Sequence, residues 1–271
     1  MDAPGPAPAP SGRMTSVTTT LAIANQKGGV AKTTTVASLG AALAELGQRV
    51  LLVDLDPQAC LTFSLGIDPE DLELSVHHVL TKGLPPAEVI IETDDGVDLL
   101  PATIELARAE ADLLTRTGRE HVVRMAVDEL PADAPYDWIL LDCPPSLGVL
   151  TVAALTAADG VLVPLQCETL SHRGVGQLLD TVHDVRRFTN RGLEVWGVLP
   201  TLYDGRTNHA RTVLETISET YDLDVIEPPI PKSIRFAEAP AAGRSILGTS
   251  RRHRGADAYR DVAANLLKRS G

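Results

Sequence analysis

The sequence predicts one α/β domain with a mostly parallel, twisted sheet and helices on both faces. Short apolar runs alternate with amphipathic helical patterns along the chain, and this order is typical of parallel strands joined by crossover helices. The 271 residues suffice for one large core. No apolar run approaches the roughly 20 residues that a membrane-spanning helix needs.

Five strands are predicted from the apolar runs, and they follow one another with helical patterns between them. The strands are expected at residues 21–25, 49–54, 138–142, 160–164 and 195–199. The helices are expected at residues 33–46, 105–114, 120–130, 147–157, 175–188, 210–221 and 256–268. Between residues 56 and 119 the pattern is less regular, with short apolar stretches at 75–80, 89–91 and 97–100.

The N-terminal residues 1–16 are rich in proline, alanine and glycine. They lack the apolar segment of a secretory signal. We therefore expect a disordered tail before a domain that spans residues 17–271.

The composition favours a cytoplasmic protein. The chain has three cysteines, an odd number without the spacing of a disulfide framework, which indicates a reducing compartment and no structural disulfides. The adjacent His77 and His78 fit a helix surface better than a metal pair.

The net charge of −12 argues against nucleic acid, but the charge is unevenly distributed. Residues 232–271 contain nine lysines and arginines and three acids, a charge of +6, which leaves −18 for residues 1–231. A basic end on an acidic body suggests one face suited to phosphate. A solvated surface with chance clustering of charge is the alternative.

The most informative segment follows the first predicted strand and opens the first predicted helix. It reads Lys27-Gly-Gly-Val-Ala-Lys-Thr-Thr34. A strand, a glycine turn and a helix start form a phosphate cradle of backbone N–H groups. Gly28 and Gly29 allow close approach of phosphate, Lys32 is expected on the β- and γ-phosphates, and the Thr33 hydroxyl is expected to bind Mg²⁺.

The segment departs from the ordinary P-loop pattern at both glycine positions and adds a lysine. Gln26 and Ala31 occupy the two glycine positions, and an additional lysine, Lys27, lies five residues before Lys32. Because Lys27 precedes the loop, the residues alone do not settle whether it contacts the nucleotide of its own subunit.

Carboxylates follow two further predicted strands. Asp54 and Asp56 come after the second strand, and Asp142 ends the third. Carboxyl ends of parallel strands meet at one edge of the sheet, where ligands bind. An acid after an apolar strand suits Mg²⁺, which keeps several of its waters. Each acid alone is equally consistent with a turn or a helix cap.

These segments together resemble the ParA/Soj family of partition ATPases, within the deviant Walker A group that includes MinD. The resemblance runs from about residue 21 to residue 267. It is carried by Asn25-Gln-Lys-Gly-Gly-Val-Ala-Lys-Thr-Thr-Thr35, Leu51-Leu-Val-Asp-Leu-Asp-Pro-Gln58, Asp142-Cys-Pro-Pro-Ser-Leu-Gly148, Pro164-Leu-Gln-Cys-Glu168, Asp204-Gly-Arg-Thr207 and Arg235-Phe-Ala-Glu-Ala-Pro240.

The resemblance implies a P-loop NTPase fold, ATP and Mg²⁺ as cofactors, and a set of site residues. Nucleotide-binding residues would be Lys27, Gly28, Gly29, Val30, Ala31, Lys32, Thr33, Thr34 and Pro231. Magnesium would be held through Thr33, Asp54 and Asp142. Catalysis would involve Lys27, Lys32 and Asp56, with Asp56 positioning the attacking water and Lys27 reaching the phosphates of a partner subunit.

The resemblance also implies partners. ATP would join two copies into a sandwich homodimer, which would hold duplex DNA without sequence preference through Arg206 and Arg235. A ParB-like centromere-binding protein would stimulate hydrolysis, and the ATP form would associate with the bacterial nucleoid. The alternative to DNA binding is that surface salt bridges are formed by Arg235, Arg251, Arg252 and Arg254.

Two other functions fit the same motifs. A MinD-like positioning ATPase would need a membrane-binding C-terminal helix, but the pattern at 256–268 is short and alanine-rich, so core packing and no stable membrane association are expected. The second of these functions is that of a nucleotide-switched scaffold with little affinity for DNA. The chain lacks the Asn-Lys-x-Asp pattern typical of GTP specificity.

Overall fold

The computed structural model describes residues 18–132, 135–168, 171–206 and 208–270. The predicted tail at residues 1–16 lies outside the described residues. Residue 17, where the predicted domain begins, also lies outside them.

The described residues form a seven-stranded sheet in the order β3-β4-β2-β5-β1-β6-β7. The strands are β1 Thr19–Ile23, β2 Val50–Asp54, β3 Ile91–Glu92, β4 Asp98–Leu100, β5 Trp138–Asp142, β6 Gly160–Gln166 and β7 Glu194–Thr201. All pairings are parallel except that of β3 with β4, which is antiparallel and lies at the edge. The predicted fold class is therefore confirmed, and the five predicted strands correspond to β1, β2, β5, β6 and β7.

Helices cover both faces of the sheet. They are α1 Lys32–Glu45, α2 Cys60–Ser64, α3 Val76–Lys82, α4 Leu106–Leu113, α5 Val122–Asp128, α6 Val149–Ala157, α7 Ser171–Phe188, α8 Asn208–Tyr221, α9 Arg235–Glu238, α10 Ile246–Thr249 and α11 Arg254–Ser270. The seven predicted helices correspond to α1, α4, α5, α6, α7, α8 and α11, with ends that differ by a few residues.

The core consists of two apolar layers, one on each face of the sheet. Alternate residues of β5 point to opposite layers: Ile139 and Leu141 belong to one, Trp138 and Leu140 to the other. All four are at most 2% exposed, and each buried side chain of this size contributes about 1.5–3 kcal/mol. This double burial explains why the central strands are continuous apolar runs.

The short apolar stretch at 75–80 forms helix α3 because its start is capped. Ser75 and His78 form a reciprocal capping box at the first turn. His77 lies in the same helix but is only 9% exposed, so the expectation of a surface histidine is wrong for this residue. The described residues contain no group of three or more His, Cys, Asp or Glu that could hold a metal.

The C-terminal helix α11 packs its apolar face on the core. Tyr259, Val262 and Ala263 have no exposed surface, and Leu266 is 1% exposed. These side chains lie in the same layer as those of α1. The surface that a membrane anchor would need is therefore buried in the fold. None of the described helices is both long and apolar enough to span a membrane.

Candidate nucleotide-binding site

The P-loop connects the carboxyl end of β1 to the start of α1. Gly29 and Ala31 both adopt left-handed backbone conformations, with φ of 74° and 64°. A Cβ added at Gly28 or Gly29 would meet no protein atom within 4 Å, so both glycines border open space in front of the helix. A loop of this shape leaves backbone N–H groups free for an anion at the helix N-terminus.

The P-loop is held from the neighbouring strands. The Thr201 hydroxyl, at the end of β7, donates to the Val30 carbonyl oxygen at 2.9 Å. The Asn25 side chain donates to the carbonyl oxygen of Pro164 in β6 at 2.8 Å and accepts from the Lys27 N–H at 3.0 Å. These buried and half-buried hydrogen bonds fix the shape of the cradle before any ligand binds.

Lys32 is buried at the first position of α1, with 7% of its surface exposed. Its Nζ donates to the Lys27 carbonyl oxygen at 3.2 Å. Burial lowers the pKa of Lys32, while Asp142 and Asp56 act in the opposite direction. The lysine therefore faces two carboxylates, and a phosphate group at this position would relieve the desolvation of its charge.

Asp54 and Asp142 are paired neighbours on β2 and β5, and neither has exposed surface. The Asp54 carboxylate accepts from the Asp56 N–H and, at 2.9 and 2.7 Å, from the N–H and the hydroxyl of Thr62. Within the described part of the chain, neither carboxylate oxygen of Asp142 has a hydrogen-bond partner. The two acids therefore differ in their hydrogen bonding, although both follow similar apolar runs in the sequence.

Burial shifts the pKa of both acids upwards. It raises the pKa of Asp54 to about 6, against the opposing effect of its hydrogen bonds. Burial, and next the charge of Asp54, raise the pKa of Asp142 well above its ordinary value. The nearby Thr33 hydroxyl and Lys32 act in the opposite direction on Asp142. A buried carboxylate with no partner fits a magnesium ion or its bound water, beside the Thr33 hydroxyl.

Asp56 lies at the rim of the same site. Its Oδ1 accepts from the Gln58 N–H at 2.9 Å, which orders the turn after β2. Its side chain is half-buried, and its charge raises the pKa of Lys32 and of Asp142. The structure therefore brings the predicted residues Lys32, Asp56 and Asp142 together at the carboxyl edge of the sheet.

Pro231 and Arg206 share a different cavity, of about 460 Å³, whose lining includes Tyr203 and Arg254 but no P-loop residue. The N–H of Tyr203 donates to the Ile230 carbonyl oxygen, and the Tyr203 carbonyl oxygen accepts from the Lys232 N–H. The loop with Pro231 is thereby attached to the end of β7. The role of Pro231 beside the adenine stays a prediction.

The predicted DNA-binding arginines are exposed and ion-paired. Arg235 Nη1 lies 2.8 Å from Glu238 Oε2, and Arg206 Nε lies 3.4 Å from Asp204 Oδ1. Further arginines of the basic segment pair with acids far away in sequence: Arg244 with Asp95, Arg251 and Arg260 with Glu45, and Arg269 with Asp224. Much of the C-terminal positive charge is therefore balanced within the fold.

Sequence reasoning missed three residues that support the site. Thr201 lies at the end of β7, and its position at a strand end was the feature of the sequence that could have indicated its role. The Tyr259 hydroxyl lies 3.0 Å from the Thr35 hydroxyl and ties α11 to the P-loop helix, but only the fold brings these residues together. Glu168 pairs with Lys27, although the sequence marked it only as part of a family segment.

Comparison with known proteins places this site in a family. The family described as "AAA domain" matches residues 18–195. The sporulation initiation inhibitor protein Soj of Bacillus subtilis is 44% identical over 247 residues, which cover 91% of this chain and 97% of Soj. The chromosome partitioning protein ParA of Caulobacter vibrioides is 40% identical over 250 residues, covering 92% and 94%.

The chain belongs to the ParA/Soj family of P-loop ATPases. The resemblance stated from its motifs is thereby confirmed, and so is its assignment as an ATPase. A solved structure of similar fold is cobyrinic acid a,c-diamide synthase from Mycobacterium smegmatis with bound ADP and magnesium. It has a TM-score of 0.83 and 54% identity, and covers 93% of this chain and 95% of its own.

Proposed function

We propose that this chain is a DNA-partition ATPase in which ATP and Mg²⁺ drive a sandwich homodimer that binds duplex DNA. The observation that carries the proposal is the preformed P-loop beside a buried, unpartnered Asp142 carboxylate. Together with the similarity to Soj and ParA, this geometry favours nucleotide-dependent assembly. In this proposal residues 17–271 form the ATPase domain and residues 1–16 a tail outside it.

The P-loop would hold the phosphates of ATP. Backbone N–H groups of residues 28–34 would surround the β- and γ-phosphates, and Lys32 would place its buried charge on them. The Thr33 hydroxyl and Asp142 would hold Mg²⁺, which would neutralise phosphate charge. Asp54 is a weaker candidate ligand, because its oxygens already accept three hydrogen bonds.

Asp56 would position the attacking water. Its carboxylate lies at the rim of the cradle, and the turn it caps keeps it on the Lys32 side of the site. A carboxylate of this kind would orient a water and accept its proton as the water oxygen bonds to the γ-phosphorus and the bond from the γ-phosphorus to the β-phosphate oxygen breaks, with ADP as the leaving group. Lys27 would act on the phosphates of the second subunit, so that ATP joins two copies in an isologous dimer.

DNA would bind across the dimer through the backbone phosphates. Arg206 and Arg235 would contribute, each after exchanging its weak surface ion pair for a phosphate contact. Such binding would be insensitive to sequence and would weaken steeply with salt. A ParB-like partner would stimulate hydrolysis, separate the dimer and release the DNA, so that only the ATP form associates with the nucleoid.

The test is retention on nonspecific duplex DNA at low salt, with ATP, ADP or no nucleotide. Wild type should be retained with ATP only, and Arg235→Glu should lose retention while keeping ATP hydrolysis. The matched control is Arg191→Glu, the same charge reversal at an exposed position before β7, at the opposite edge of the sheet from the P-loop. It should bind DNA as wild type does.

Three outcomes would redirect the proposal. Absence of retention in every nucleotide state would leave the ATPase in place and favour a protein-cargo scaffold. Binding to liposomes with ATP would favour a MinD-like function, against which the burial of the apolar face of α11 argues. The name of the Mycobacterium smegmatis neighbour also denotes an amide-forming enzyme, and ATP turnover that depends on cobyrinic acid would favour that chemistry.

A further inference from the structure

The lysine that distinguishes this P-loop is not free in the single subunit. Lys27 Nζ forms a salt bridge of 2.5 Å with Glu168 Oε2, and the two side chains are 35% and 53% exposed. Lys27 lies before the glycine turn, and Glu168 follows β6, 141 residues later. The ion pair therefore connects the P-loop to the segment that leads into α7.

The backbone around Glu168 is ordered by Ser171, the first residue of α7. The Ser171 hydroxyl donates to the Gln166 carbonyl oxygen, and the Ser171 N–H donates to the Glu168 carbonyl oxygen at 2.9 Å. The Lys27 backbone is also held, since its N–H donates to Asn25 and its carbonyl accepts from Lys32. Both partners of the ion pair thus project from fixed backbone.

The surroundings of the ion pair favour an anion. A cavity of about 480 Å³ at this point is lined by Lys27 and Arg173, together with apolar residues such as Val30 and Leu165. Within the described part of the chain, Arg173 is exposed and forms no ion pair. A region with two cations next to a helix start attracts negative charge, and Glu168 supplies that charge from within the subunit.

We propose that Glu168 is a positioning residue that holds Lys27 in the free subunit as a substitute for the phosphate of a second copy's nucleotide. Assembly then requires Lys27 to leave Glu168 before it contacts that phosphate. The inference rests on the proposed sandwich dimer, and it adds a residue that opposes assembly until nucleotide is bound. Neutralising Glu168 removes this competition, so the dimer should form more readily.

The experiment measures dimerisation by sedimentation velocity with Mg²⁺ and a non-hydrolysable ATP analogue, without DNA. Because an exposed ion pair is weak and each of the two subunits of the isologous dimer releases one, Glu168→Gln should tighten the dimer about two- to thirtyfold at low salt. The gain should disappear at about 0.5 M salt, where exposed charges are screened. In a Lys27→Gln background the same Glu168→Gln change should have no effect, since the double-mutant cycle isolates the pair.

The matched control is Glu238→Gln, which removes the same charge from another exposed ion pair and should leave dimerisation unchanged. If wild type dimerises but Glu168→Gln does not tighten the dimer, the inference is overturned and the proposed function stands. A weaker dimer would mean that Glu168 acts within the assembled dimer, which also overturns it. If neither protein dimerises, the sandwich dimer itself is wrong, and the inference fails with it.

Discussion

The burial of carboxyl groups at the strand ends predicts a specific dependence of stability on pH. Asp54 has no exposed surface, and burial raises its pKa from 3.8 to about 6. An acid whose pKa is raised by folding destabilises the folded state at every pH above the pKa that the acid has in the unfolded chain. The penalty grows between pH 3.8 and about 6 and is complete above that range.

The magnitude follows from the shift. One pKa unit corresponds to about 1.36 kcal/mol, so Asp54 destabilises the nucleotide-free protein by about 3 kcal/mol at pH 7.5. At pH 5.0 the folded carboxyl is mostly protonated, and the penalty falls to roughly half of that value. Replacing Asp54 by Asn removes this titration. The free energy of unfolding of Asp54→Asn relative to wild type should therefore rise by about 1–2 kcal/mol from pH 5.0 to pH 7.5.

The assay is urea unfolding without nucleotide and with EDTA, followed by the fluorescence of the buried Trp138 and Trp196. Comparing variant with wild type cancels titrations away from the site, including that of His77, whose pKa burial lowers. Removing the Asp54 charge also lowers the pKa of Asp142, which adds to the difference with the same sign. The loss of the Thr62 hydrogen bonds adds a penalty that does not change with pH. The control Asp180→Asn, at an exposed position of α7, should show no such trend. A difference between Asp54→Asn and wild type that is independent of pH would refute the reasoning.

Three further changes test the roles of single residues. Lys32→Ala should weaken ATP binding at least about 100-fold, because a charge-assisted contact to phosphate is lost. It should not lower the stability of the free protein, since the removed charge is desolvated. Fluorescent-nucleotide titration measures the affinity and urea unfolding the stability, and wild-type affinity would contradict the assignment. Asp56→Ala should lower phosphate release about 100-fold or more while ATP still binds and dimers accumulate in gel filtration; normal turnover would reject its role. Ala31→Gly should raise the free energy of unfolding by about 0.5–1 kcal/mol, because glycine adopts the φ of 64° without strain; a lower free energy of unfolding would show that Ala31 is not strained.

The sequence was sufficient to predict where a candidate site residue lies wherever that position depends on neighbours along the chain. Lys32 follows a strand and begins a helix, so its place in the cradle could be predicted from local order alone. Asp142 could be predicted because an apolar run ending in an acid places that acid at the carboxyl edge of a parallel sheet. The same reasoning predicted the central strands, which are buried on both faces and therefore form continuous apolar runs.

The rest depends on contacts between distant segments, which no local pattern encodes. Asp54 and Asp142 follow similar apolar runs, yet only Asp54 meets Thr62. The basic C-terminal segment suggested a phosphate-binding face, but the fold brings Glu45 to Arg251 and Arg260 and Asp95 to Arg244. These pairs join residues about 150 to 215 positions apart. The count of basic residues therefore overstated the charge available to DNA.

The electrostatics of the free site connect its stability to its proposed function. The Asp142 carboxylate accepts no hydrogen bond from the described residues, and burial of Asp54 destabilises the free protein by about 3 kcal/mol at neutral pH. A ligand present at 100 times its Kd stabilises a fold by about 2.7 kcal/mol, a gain of similar size. Part of the binding energy of a cation and nucleotide would thus offset the charge already buried at the strand ends. A site built in this way is least stable when empty, so its order, and any assembly that depends on it, would respond to nucleotide.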